Sequence, residues 1–349
     1  MLTRLRARRA LLFVLFASFA AASVLEAQTP SSTRVRVRSE AGTAVTGALI
    51  GLIDAGGRTV AEGLSNADGA RSLTVPAGKY RIQVRRIGFE PFISEEMSFP
   101  RSEGVVLAIT NRAVSLQTVV VTAGARCRNI APDAAALSTV WEEIAKALRA
   151  SQLTTEDLKD IAEVHMYVRD VDTNGRVNSN DTKVYKVNGM RPFGAIDPVV
   201  LMNAGYVVGN ITDGWYYYAP DETVLLSESF ARTHCFRIVR DRKRPGQIGM
   251  SFEPVAGRKP TEIEGVLWLD EKSSELREIL FQFVNVDLIS KFEAGGRTHF
   301  RRMPSGAWLV DDWSIRFPKL QLQLKDNRVI EIGHYETGGG IVHEGLVSR

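Results

Sequence analysis

The stretch Asn66–Phe89, NADGARSLTVPAGKYRIQVRRIGF, constrains the fold more than any other part of the chain. Asn66-Ala67-Asp68-Gly69 spells a turn, because Asp-Gly supplies the positive φ that a tight reversal needs. Leu73 and Val75, then Tyr80, Ile82 and Val84, alternate with polar residues, as half-buried strands do. Pro76-Ala77-Gly78 separates the two runs, Gly88 ends the second, and Phe89 follows as an apolar anchor. Upstream, Arg34-Val35-Arg36-Val37-Arg38 alternates strictly. Glu40-Ala41-Gly42-Thr43 is a turn, and Ala48–Ile53 reads as a buried strand ending at Asp54-Ala55-Gly56-Gly57. Turn signals every roughly 8–12 residues predict an antiparallel β-sandwich.

Gly47-Ala48, Asn66-Ala67-Asp68-Gly69, Pro76-Ala77-Gly78-Lys79-Tyr80 and Arg86-Ile87-Gly88-Phe89 together resemble the carboxypeptidase regulatory-like domain over residues 32–112. The resemblance implies a transthyretin-like sandwich of about seven strands. These motifs are turns and structural glycines, so they speak for fold and not for peptidase activity.

Residues 1–27 read as a cleavable signal peptide. Arg4, Arg6, Arg8 and Arg9 form a basic start, Ala10–Val24 an apolar middle, and Ala27 a small residue before the cut. An uncleaved anchor helix is the alternative. Those four arginines against Glu26 give the leader +3 of the chain's +4, which leaves +1 on the remainder. Nucleic-acid binding is therefore not expected. The chain has two cysteines, Cys127 and Cys235. In an oxidising compartment they are expected to pair as a disulfide.

Leu116–Gly124 resembles the short strand that follows such domains in TonB-dependent outer-membrane receptors. The rest of the chain lacks the pattern of a plug and a barrel. Residues 113–130 are thus read as a final strand plus linker, and residues 131–349 as a second domain. Leu137, Val140, Trp141, Ile144, Ala145 and Leu148 recur at helical spacing, which predicts a helix over 133–150. Its acids Glu142 and Glu143 come early, and Lys146 and Arg149 late, as a helix dipole favours. Thr154-Thr155-Glu156-Asp157 suggests the cap of a second short helical turn. From Glu163 onward about ten strands follow. The expected architecture is mostly β: a seven-stranded antiparallel sandwich, then a curved antiparallel sheet or half-barrel with one or two helices. The run Glu262–Glu271, with Met303–Trp308 and Trp313–Pro318, resembles uncharacterised exported bacterial proteins that carry a carboxypeptidase regulatory-like domain in front. Its rhythm is also similar to the half-barrels of periplasmic lipoprotein carriers.

Four features invite a chemical reading. Trp215 and Tyr217 share one strand face and Tyr216 and Tyr218 the other; core packing is the favoured reading, and Trp215 with Tyr217 is the candidate ligand platform for a sugar or lipid if its face is open. Arg240, Arg242, Lys243 and Arg244 form a basic turn, either a solvated hairpin or a contact for an anionic surface. Asp170, Asp172, Asn174, Asn178 and Asp181 place oxygens at calcium-loop spacing, but on strand flanks and with a short final side chain. A polar hairpin loop fits better, and calcium is the only cofactor in view. The five histidines, His165, His234, His299, His334 and His343, fall in no metalloprotease spacing, so a metal site is not expected.

These observations favour a non-enzymatic exported protein of the periplasm or outer-membrane periphery. Its role would be binding an envelope protein, lipid or glycan, with an apolar ligand or partner segment on the C-terminal sheet. Carbohydrate binding is the first alternative and a metal-assisted hydrolase the second. Oligomeric state is not legible.

Overall fold

The structure is a computed structural model that describes residues 31–110, 112–114, 116, 134–158, 162–186, 196–210, 214–286, 292–323, 325 and 328–342. The leader, most of the 113–130 linker and Cys127 lie outside the described residues.

The N-terminal unit is a sandwich. In chain order its strands are β1 (Ser31–Ser39), β2 (Leu49–Ile53), β3 (Thr59–Leu64), β4 (Ala70–Val75), β5 (Gly78–Arg85), β6 (Phe92–Ile93), β7 (Met97–Phe99) and β8 (Val105–Ile109). One sheet has the order β4-β1-β8, with β1 and β8 parallel. The other runs β3-β2-β5-β6, and β7 also pairs with β5. β6 and β7 border opposite ends of β5, so they act as one interrupted edge strand and the sandwich has the expected seven. Alternation builds its core. Val35, Val37, Ile50, Leu52, Leu73, Val75, Ile82 and Val84 all point between the sheets. Asn66 closes its turn as its sequence suggests: the side-chain oxygen accepts from the backbone N–H groups of Asp68 and Ala70 at 3.0 Å each.

A helix, α1 (Ala134–Asp157), comes next. It is one continuous element, longer than the predicted one. Thr154 and Thr155 do not cap a new turn. Thr155 returns its hydroxyl to the Ser151 carbonyl at 3.0 Å, and Thr154 Oγ1 accepts from the Trp308 backbone at 3.3 Å. Glu143 and Lys146 are consequently mid-helix, and the dipole does not explain them.

The remaining elements are β9 (Glu163–Asp172), β10 (Val177–Lys186), α2 (Pro198–Ala204), β11 (Val207–Asn210), β12 (Gly214–Tyr217), α3 (Glu222–Leu225), α4 (Glu228–Thr233), β13 (His234–Val239), β14 (Gln247–Pro254), β15 (Glu262–Asp270), β16 (Leu276–Val284), β17 (Gly295–Arg302), β18 (Trp308–Gln323) and β19 (Arg328–Val342). Nine strands form one antiparallel sheet in the order β10-β9-β19-β18-β17-β16-β15-β14-β13. Val140, Ile144, Ala147 and Leu148 of α1 join Met250, Phe252, Leu267, Ile279, Phe281, Trp308 and Trp313 of the sheet in the main core. Each such side chain withdrawn from water contributes roughly 1.5–3 kcal/mol.

Helix α1 is buried on its other side as well, against the sandwich. Gly88 N–H donates to Glu143 Oε2 at 2.8 Å, and Lys146 Nζ donates to the Phe89 carbonyl at 2.7 Å. A second seam joins Gly47 to Gly306 in the β17–β18 turn. Both have positive φ, and a Cβ on either would fall onto the backbone of the other segment. Glycines that read as turn residues thus also permit close docking of the two units.

Candidate functional site

The two faces of the nine-stranded sheet differ. One is apolar and is covered by α1, α3, α4 and the β11–β12 hairpin. The other carries the alternate residues of every strand and faces away from α1. Register sets these residues in rows across the strands. One row runs Arg237, Ser251, Val266, Leu280, Arg297, Ser314, Gly338, Tyr167. The next includes Glu264, Gln282, Gly295, Arg316, Glu336 and Arg169.

Two hollows lie on these rows, about 430 and 520 Å³ in volume, and they share Leu280 and Gln282. Small residues make the floor: Ser251, Gly295, Gly296 and Ser314. The walls are charged and largely paired. Arg237 meets Glu253, and Arg316 meets Glu331 at 2.8 Å. Gln282 donates to Glu264. Arg297 differs: it is exposed between Leu280 and Ser314 and makes no ion pair among the described residues. At the far end the Tyr167 ring lies across Gly338, where any side chain would collide with it. Tyr167 donates to Glu336 Oε1 at 2.6 Å. Desolvation first, and then that hydrogen bond to a carboxylate, push the phenol up to about 12.

Beside the groove, a third row joins Glu278, His299 and Asp312. His299 Nε2 is 2.9 Å from Glu278 Oε1, and Nδ1 is 2.9 Å from Asp312 Oδ2. Arg244 donates to the other Glu278 oxygen at 2.6 Å and lies 4.9 Å from the Trp268 ring centroid. These groups saturate one another, and the trio braces the strands on which the groove stands.

A second polar cluster is closed to solvent. His234 and Glu262 have side chains that are 0% and 1% exposed, with Nε2 3.6 Å from Oε2. His234 Nε2 faces the Ile263 carbonyl at 3.1 Å, and Nδ1 lies 3.1 Å from the Thr233 hydroxyl. Nδ1 also lies 3.2 Å from the Phe230 carbonyl, and the Thr233 hydroxyl donates to the Ser229 carbonyl at 2.8 Å. Desolvation brings the imidazole down to about 4, and burial raises the Glu262 carboxyl although Arg258 opposes it. Arg258 spans the Met202 carbonyl and Glu262, tying the end of α2 to β15. Ser151 of α1 reaches Glu222 at 3.0 Å. This cluster fastens the small helices to the sheet and presents no open face.

The residues singled out in the sequence fall elsewhere. Trp215 and Tyr217 pack against the main core, with Tyr217 stacked 5.0 Å from Phe317. The pair is turned inward and does not form an open platform, while Tyr216 between them is 65% exposed. In the basic turn Arg240 pairs with Glu271, and Arg244 with Glu278. That leaves Arg242 and Lys243 as its solvated cations. The calcium-like segment is the β9–β10 hairpin. Asp172 accepts from Asn174 and Arg176 backbone N–H groups within the turn, and Asp170 is held by Lys319 at 2.6 Å. Asn178 and Asp181 lie along β10. Among the described residues no three His, Cys, Asp or Glu side chains gather as for a metal ion. Cys235 is buried at the start of β13, and its expected partner Cys127 lies outside the described residues.

Sequence reasoning did not find Arg297, Ser314, Arg316 or the His299 row. The available signal was the polar alternation of β16, β17 and β18. Which polar positions meet depends on cross-strand register, and the turns alone do not give it.

Residues 32–112 match the family model of the carboxypeptidase regulatory-like domain. The match spans the sandwich, a non-catalytic module, and a β-rich region follows it. No curated protein matches the chain.

Proposed function

We propose that the protein is a non-enzymatic binding protein exported to the cell envelope, and that its binding surface is the polar groove on the open face of the nine-stranded sheet. The observation that carries this reading is Arg297, an exposed cation between Leu280 and Ser314 that makes no ion pair among the described residues, in a groove whose other charges are largely paired. Its partner is an extended polar segment that carries a carboxylate or phosphate. The face opposite the groove offers no room for an apolar ligand, because it is filled by α1 and the β11–β12 hairpin. Export rests on the basic-then-apolar leader of residues 1–27, and the Cys127–Cys235 disulfide belongs to the same reading.

Binding to arrays of acidic peptides and of glycans tests the groove, with Arg297→Glu as the control. Acidic peptides are expected to bind the native protein and to lose about tenfold to a hundredfold in affinity with the variant, since a charge-assisted hydrogen bond is worth roughly 1.5–3 kcal/mol. Glycan binding that survives Arg297→Glu would favour the carbohydrate reading instead. The intact mass of protein recovered from the envelope tests export and disulfide together. It should start at Gln28 and be two hydrogens light.

A further inference from the structure

Strand β10 closes one end of the nine-stranded sheet, and all ten of its residues are exposed. From Ser179 to Lys186 it pairs with β9 without a bulge. Among the described residues no strand pairs with its outer side, which is therefore a straight run of backbone donors and acceptors, the usual template for adding another strand. Natural edges of this kind carry lysine to discourage pairing. Here Lys183 is accompanied by Asp181, two residues away on the same face, with the side chains 62% and 70% exposed and 3.8 Å apart.

We infer that β10 pairs antiparallel with β10 of a second copy, about a two-fold axis through Thr182. In that register Asp181 stands opposite the partner's Lys183, and Lys183 opposite the partner's Asp181. On the other face Thr182 meets the partner's Thr182, and Asn180 meets the partner's Val184. Opposite charges and paired threonines directly across two strands are both favourable. The same pattern penalises the neighbouring registers. An axis through residue 181 sets Asp181 against the partner's Asp181, and an axis through residue 183 sets Lys183 against the partner's Lys183. Axes between residues would bring opposite pleats together, which two identical antiparallel edges cannot do. Charge therefore selects one register from a strand whose backbone would accept several. The closed pairing uses up both edges and stops at two copies.

The axis is normal to the sheet, so nine strands become eighteen and both copies present their open polar grooves on the same side. The inference stands on β10 alone and does not depend on what the groove binds.

Sedimentation equilibrium of the purified protein over a concentration series tests it, with circular dichroism to show that each variant is folded. The native protein is expected to form a reversible dimer. Asp181→Lys places lysine opposite lysine twice, and Lys183→Asp places aspartate opposite aspartate twice. Each alone should weaken association about tenfold or more. Mixed in equal amounts, the two variants should recover the dimer, since one chain offers two lysines where the other offers two aspartates. A native protein that stays monomeric at every concentration overturns the inference. So does a dimer indifferent to both substitutions, or a mixture that remains monomeric.

Discussion

Lys146 Nζ lies 2.7 Å from Glu143 Oε1 inside the seam between the sandwich and α1, with the two side chains 0% and 1% exposed. The pair is a connector. Glu143 spends its second oxygen on the Gly88 N–H, and Lys146 spends further protons on the Phe89 and Arg86 carbonyls at 2.7 and 3.3 Å. Each charge is thus neutralised by its partner and hydrogen-bonded to the loop that follows β5. Burial still pushes the Glu143 carboxyl up, against the pull of Lys146. Removing one member strands the other in a dry site.

Lys146→Met is expected to lower stability by about 3–5 kcal/mol, because it leaves a buried carboxylate without its counter-charge and two loop carbonyls without that donor. The double variant Glu143→Gln, Lys146→Met should recover part of that loss, since no net charge remains buried. Urea denaturation of the native protein, both single variants and the double variant closes the cycle. A Lys146→Met variant as stable as the native protein would show that the pair does not join the two units.

How much of this was legible in the sequence depends on the range of the interaction. The Asn66–Gly69 turn, the strands beside it and the run of strands after Glu163 rest on local alternation and turn chemistry, and they stand where the sequence put them. The burial of Lys146 was not legible. Its acceptors lie 57 and 60 residues away, and a lysine in an amphipathic helix is ordinarily solvated. The short helices α2, α3 and α4 were missed for a related reason. Each spans only four to seven residues and is held by caps such as Asp197, Asp221 and Ser227, a signal too brief to outweigh the flanking strands. Trp215 and Tyr217 were read correctly as one face of a strand, but which face met the core was decided by Phe283 and Phe317.

The Gly47–Gly306 seam gives a second test of the docking. Gly306→Ala adds a Cβ against Thr46 and Gly47 at a φ of 86°. Gly42→Ala adds one at a φ of 78° with nothing within 4 Å. Both substitutions carry the left-handed cost of roughly 1–2 kcal/mol. Only Gly306→Ala also forces the units apart, so it should be the more destabilising by a further ~1–3 kcal/mol. Equal losses in thermal or urea unfolding would mean that the seam yields without cost.

His234 makes stability depend on pH. Its folded value, about 4, lies below the ordinary 6.5, because burial disfavours the charged ring. The unfolded chain therefore binds the extra proton more readily than the folded one between these values, and stability must fall as pH falls through that window. At ~1.36 kcal/mol per pH unit the full span is worth about 3 kcal/mol, present above pH 6.5 and lost by about pH 4. Glu262 beside it titrates with the opposite sign, since a raised carboxyl favours the folded state on protonation. The two effects are separated by His234→Gln, which retains a neutral hydrogen-bonding side chain and removes only the imidazole. Urea unfolding at a series of pH values from 7 to 4 should show the native protein losing more stability than the variant, by up to about 3 kcal/mol at the acid end. Parallel profiles would mean that the His234 ring takes up its proton without leaving the fold.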